Sequence, residues 1–121
     1  MKSFIMGFAY AFRGIYITFK SERNFKIHTV ALCLAVALGL YLDLSILEWG
    51  LIIFAIGFVL VAELFNTAIE RLGDEAADGK LNQKIRNVKD ISAAAVLLSA
   101  LTSLVIGIIV LFIPFIHRML G

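Results

Sequence analysis

Residues 49–69 read WGLIIFAIGFVLVAELFNTAI, and this stretch decides the fold. From Trp49 to Ala62 it holds no charge, and its full length matches the roughly 20 residues that carry a helix across a bilayer. Trp49 stands where an interfacial aromatic anchor belongs. Polar groups enter only in the later half, as Glu63, Asn66 and Thr67. On a helix Glu63, Asn66, Thr67 and Glu70 fall at i, i+3, i+4 and i+7 and share one face. A carboxylate at membrane depth is costly and marks a functional site by default.

Two further apolar runs flank this one. Ile27 to Leu42 is interrupted only by His28 and Thr29, and extension through Asn24 and Leu44 brings it to spanning length. A third run extends from about Ile91 to Ile116, with Pro114 near its end, where a missing backbone donor costs little. Ahead of them Phe4, Phe8, Phe12, Ile15 and Phe19 recur at steps of three or four. That pattern predicts a basic amphipathic helix that lies in the membrane surface or packs on the chain's own spans. Its apolar run is broken by Tyr10 and Arg13 without a cleavage site, so it reads as part of the mature protein rather than a signal peptide.

The chain therefore reads as one all-α integral-membrane domain over residues 1–121. It comprises a surface helix over 1–20, transmembrane helices over about 25–44, 49–69 and 91–116, and a polar loop over 71–89. Composition agrees: 61% of the 121 residues are hydrophobic and 17% charged. A soluble domain this small has too much surface for its volume to hide so much apolar area. The net charge of +2 gives no reason to expect nucleic acid. Cys33 stands alone among apolar residues and reads as packing. Lys2, Arg13, Lys20, Arg23 and Lys26 precede the first span, and Arg71, Lys80, Lys84, Arg86 and Lys89 lie between the second and third. Only Arg118 falls on the other side, so the positive-inside rule places the amino terminus and the long loop in the cytoplasm.

Glu63 sits between FVLVA and LF, an apolar setting that suits proton acceptance. Glu70, nearer water, suits a hard cation. Lys89-Asp90 reads as the start of the third span, with Asp90 as its N-cap and the lysine beside it for phosphate oxygens. The small residues Ser92-Ala93-Ala94-Ala95 then permit close helix approach. With Glu22, these groups gather at one membrane face. Acids for a divalent cation and a lysine for phosphates are the parts phosphoryl transfer requires. No Walker-type or kinase glycine-rich loop is present. Two other readings stand beside this one. Glu63 and Asn66 can serve only as hydrogen-bond glue in a structural scaffold, or Glu63 and His28 can form the relay of a small proton- or ion-conducting oligomer.

The segments YAFRGI (10–15 includes its YAFRGI run), SERNFKIH (21–28), ELFNTAIE (63–70) and KDISAAAVLL (89–98) occur in an order and spacing that resembles the prokaryotic diacylglycerol kinase / undecaprenol kinase family. The resemblance covers Gly7 to about Leu104. It implies a lipid kinase that transfers phosphate from Mg²⁺-bound ATP to a lipid alcohol. Glu63 matches the family's general base, and Glu22 and Glu70 match the acids that hold Mg²⁺. Asn66, Lys89 and Asp90 match nucleotide-contacting positions, and Tyr10 an aromatic on the surface helix near the nucleotide. The resemblance further implies a homotrimer with active sites shared between subunits, in a bacterial inner membrane. The ERNFKIH stretch is similar to the undecaprenol kinase branch, so undecaprenol is the expected substrate and diacylglycerol the next. No family role is carried into Glu75 to Val88.

Overall fold

A computed structural model describes all residues 1–121 and is helical almost throughout. Helix α1 spans Lys2–Ser21, α2 Arg23–Leu42, α3 Ile46–Ala77 and α4 Gln83–Gly107. A π-helical segment, Ile108–Phe112, leads without a break into α5, Ile113–Leu120. Three helical runs are long and apolar enough to cross a membrane: Arg23–Leu42, Ile46–Ala77 and Gln83–Leu120. The chain is a multi-pass membrane protein.

Each boundary has a local cause. Only Glu22 separates α1 from α2, in an extended conformation. Between α2 and α3, Asp43 turns the chain in the left-handed region, and Ser45 then opens α3 with a reciprocal capping box. The Ser45 hydroxyl accepts from Glu48 N–H while the Glu48 carboxylate accepts from Ser45 N–H. Asp78 and Gly79, both at positive φ, make the turn between α3 and α4. Pro114 lacks an N–H and its ring crowds the carbonyl four residues back. The π segment just before it loosens the helical ladder there, so the helix passes the proline and runs on to Leu120.

The predicted loop over 71–89 is therefore much shorter than expected. Helix α3 continues through Ala77 and α4 starts at Gln83, leaving residues 78–82 as the connection. Polarity in that stretch reports contact with water, and its Glu, Ala, Leu and Arg residues are good helix formers. At about 1.5 Å per residue, α3 is roughly 48 Å long against a hydrocarbon core of about 30 Å, so its polar end projects into water. The predicted cap at Asp90 is also corrected. Asn82 caps α4, its Oδ1 accepting from Lys84 and Ile85 N–H, and Asp90 lies two turns inside.

Helices α3 and α4 form the main seam. On α4 and the π segment that follows it the inward residues are Ile85, Lys89, Ser92, Val96, Ser99, Ser103, Ile106 and Val110, alternating steps of four and three. That heptad spacing keeps one stripe against its neighbour along the whole crossing. Serines rather than the expected alanines allow the close approach, since Ala93, Ala94 and Ala95 face outward. Ser103 Oγ donates to the Ala55 carbonyl at 2.8 Å across the seam. On α3 the matching stripe is Ile52, Ala55, Val59, Glu63 and Thr67, ending at Gly73. Glu63 thus occupies a core position.

Helix α2 closes one side of this pair. At the end remote from the basic residues, Ile52, Val110 and Leu111 form a small core with Ala35, Leu38 and Leu42. Arg118 donates to the Tyr41 carbonyl at 2.7 Å and its guanidinium lies over the Tyr41 ring, tying α5 to the end of α2. Gly39 is buried against Trp49: a Cβ there would stand 2.8 Å from the indole and 3.0 Å from Leu44. Gly39→Ala is accordingly expected to destabilise the protein by about 1–3 kcal/mol, the range for overpacked sites. At an open helical position the same change is mildly stabilising. A raised thermal midpoint in detergent would contradict the packing described.

Helix α1 touches the bundle only near its carboxyl end, where Thr18 is buried. Phe4, Phe8, Phe12, Ile15 and Phe19 all remain exposed. Of the two expectations for this stripe, packing on the chain's own spans is not observed. The apolar face is open, as a helix lying in a lipid surface requires.

Candidate active site

The charged ends of α2, α3 and α4 meet beyond Val59. Counting from Ile46, Glu63 lies about 26 Å along α3, which brings it close to the far boundary of a 30 Å hydrocarbon layer. Its side chain is 3% exposed. Thr67 donates its hydroxyl back to the Glu63 carbonyl, so the threonine saturates itself within the helix and offers nothing to the carboxylate. His28 of α2 brings Nε2 to 3.2 Å from Glu63 Oε1. The ring is not aligned for a hydrogen bond, and Oε1 is left buried without a donor. A buried oxygen without a partner costs stability, on the order of 1–3 kcal/mol or more for a charged group.

One turn on, Asn66 donates from Nδ2 to Glu70 Oε1 at 3.3 Å, while its own Oδ1 is buried without a partner. Glu22, at the α1–α2 junction, lies 3.9 Å from Arg71 Nη2, and the same guanidinium donates to Ser21 Oγ. Arg71 thus brings the start of α2 against the Glu70 end of α3. Glu22 and Glu70 both stand close enough to act on Glu63 electrostatically. Across the seam the Lys89 stem rests on Gly73, where a Cβ would meet its Cγ at 3.4 Å, and Nζ donates to Asp74 Oδ1 at 2.6 Å.

The structure therefore gathers Glu63, Asn66, Glu70, Glu22 and Lys89 at one end of the bundle. It does not gather Tyr10 or Asp90. Tyr10 is 63% exposed on α1, and twelve residues of helix, about 18 Å, separate it from Glu22. Asp90 is exposed and points away from the face that carries Lys89. Sequence reasoning paired His28 with Glu63 only in the proton-conducting reading and gave it no place in the kinase site, and it missed Arg71 and Asp74 altogether. Arg71 and Glu22 are 49 positions apart, and no local spacing signals such a contact.

Glu22 and Glu70 supply half-buried hard oxygens. No set of three or more ligating side chains is present. That donor set suits Mg²⁺, which takes one or two carboxylates from protein and the rest of its shell from water and phosphate oxygens. A structural metal enclosed by protein ligands has no place here.

Comparison with known proteins places this arrangement. Undecaprenol kinase of Bacillus subtilis is 39% identical over 114 residues, covering 94% of this chain and 91% of its own length. Diacylglycerol kinase of Synechocystis is 29% identical over 115 residues, covering 95% of this chain and 66% of its own. Diacylglycerol kinase of Escherichia coli is 27% identical over 106 residues, covering 88% and 86%. Residues 9–111 match the sequence profile of the prokaryotic diacylglycerol kinase family, a match that takes in the first two membrane helices, most of the third and the charged cluster, and the chain belongs to that family.

Proposed function

We propose that this protein transfers the γ-phosphate of ATP to the hydroxyl of a membrane lipid alcohol, with undecaprenol the preferred acceptor and diacylglycerol the second. The observation that carries the proposal is Glu63: a core carboxylate at the depth of the membrane boundary, one oxygen unpartnered, flanked by two half-buried acids. Glu63 accepts the proton of the lipid hydroxyl as that oxygen attacks phosphorus. Asn66 and Lys89 bind the nucleotide, and Lys89 must exchange its Asp74 contact for phosphate oxygens to do so. Glu22 and Glu70 hold Mg²⁺, which neutralises phosphate charge when bound. The spans keep the lipid tail in hydrocarbon while its hydroxyl meets the aqueous nucleotide, which supplies proximity.

Tyr10 and Asp90 lie apart from the cluster within one chain; in the homotrimer with shared sites that the family resemblance implies, a neighbouring copy would bring them to the nucleotide. The charge asymmetry supports a cytoplasmic amino terminus, and the bacterial relatives support a location in the bacterial inner membrane. The preference for undecaprenol rests on the likeness to the Bacillus subtilis enzyme. Purified protein supplied with radiolabelled ATP and either lipid in mixed micelles is expected to label both, undecaprenol faster. Absence of label in both lipids would remove the proposal.

The His28–Glu63 contact is the one observation that favours a proton-conducting oligomer. Proton flux in proteoliposomes without ATP consumption would support that reading. It leaves Glu22, Glu70 and Lys89 without a role.

A further inference from the structure

We propose that His28 is the positioning residue of this reaction: it orients Glu63 and relays to cytoplasmic water the proton that Glu63 accepts. The inference rests on the lipid kinase reading above and adds a residue to it. A base that is 3% exposed has no direct exchange with water, and it must lose its proton before the next turnover. Three groups bear on it electrostatically: His28 from α2, Glu22 from the α1–α2 junction and Glu70 from its own helix. Glu22 and Glu70 are the proposed metal ligands and are spoken for. Thr67 donates to backbone. Helix α4 contributes no titratable group at this level, where Ser92, Val96 and Ser99 face α3.

His28 alone meets both requirements. Nε2 lies 3.2 Å from Glu63 Oε1, and the side chain is 26% exposed, so one ring edge faces the acid while the other is left uncovered by protein, one turn from Asn24 at the polar start of α2. The misalignment is of the kind that tightens when substrate arrives, since catalytic hydrogen bonds are often long or poorly aimed in the empty enzyme. His28 also closes one end of an apolar groove of about 350 Å³ between α2, α3 and α4, lined by Ala31, Leu60 and Leu104 among others. The imidazole therefore separates hydrocarbon from the charged cluster.

The balance is simple. The lipid O–H bond breaks and its proton joins Glu63. The lipid oxygen forms a bond to the γ-phosphorus, and the bond from that phosphorus to the bridging oxygen breaks, its electron pair leaving with ADP. The proton then passes from Glu63 to His28 Nε2, and the imidazolium releases a proton from Nδ1 to water.

The test uses the full-length protein in mixed micelles with ATP and undecaprenol. His28→Ala is expected to lower kcat about a hundredfold, the low end of the range for lost proton transfer, with KM for ATP and lipid changed less than about twofold. Free imidazole should restore much of the loss by occupying the vacated space, a rescue that a structural role would not produce. His28→Gln, which keeps a donor and most of the volume but has no basic nitrogen, should be equally slow and settles the matter if His28→Ala does not fold. A wild-type kcat in the folded variants, a loss confined to KM, or a loss that imidazole leaves untouched would overturn the relay. A wild-type protein that labels neither lipid would overturn the kinase reading itself, so the two failures are told apart.

Discussion

Glu63→Gln is expected to abolish phosphoryl transfer while leaving nucleotide binding intact. The substitution preserves shape at a core position of α3, so the stripe from Ile52 to Gly73 should pack as before. It removes the lone carboxylate able to accept a proton at the membrane boundary. Loss of a positioned base typically costs about 10²–10⁴-fold in rate, and an acceptor of low acidity such as a lipid alcohol belongs at the upper end. Turnover measured with labelled ATP, beside binding of a fluorescent nucleotide, separates the two effects. Wild-type turnover would remove Glu63 as the base. Glu63→Leu provides a companion measurement: a buried charge without full hydrogen bonding is a poor stabiliser, so this variant should be at least as stable as wild type and inactive. A leucine variant that still turns over would show that Glu63 serves packing alone and is not the base.

The second large effect is expected at Glu70. Glu70→Ala should shift the Mg²⁺ concentration for half-maximal activity upward by on the order of ten- to a hundredfold, since even outer partners of a metal are worth that much. In the proposed site Glu22 and Glu70 are the two protein ligands of the ion, so removing one would halve the protein's share of the shell. The change also takes away the acceptor of Asn66 Nδ2, so nucleotide affinity should fall with it. Magnesium titrations at saturating ATP distinguish the two, because a pure nucleotide defect is overcome by substrate. An unchanged metal titration would exclude Glu70 from the metal site.

Much of the fold was legible because lipid imposes a simple rule on composition. Backbone groups in hydrocarbon must be satisfied within the segment, so an apolar run of about 20 residues has few options but a helix. The run from Trp49 to Ala62 and its two companions were therefore readable, as was the surface helix from its phenylalanine spacing. Outside hydrocarbon the rule lapses. Residues 71–89 read as a loop because they are polar, yet most continue α3 or begin α4, for a solvated helix is polar too. Asp90 read as a cap for the same reason, whereas Asn82 performs that task where the chain actually turns.

The site divides along a similar line. Glu63, Asn66 and Glu70 were visible as a set because one helix carries them and helical periodicity is local. Glu22 at the α1–α2 junction and Lys89 on α4 were placed at the same membrane face by charge and topology, while their particular roles came only from the resemblance.

The amino-acid sequence by itself determined the helical spans and the face of α3 that bears the acids, since apolar length and a 3.6-residue period each act over a few turns. The tertiary structure alone decided which residues meet across helices: His28 at Glu63, Arg71 at Glu22, Lys89 at Asp74. Those contacts depend on the serine stripe that draws α4 onto α3 and on how far each helix runs beyond the membrane. No interval between residue numbers encodes either quantity.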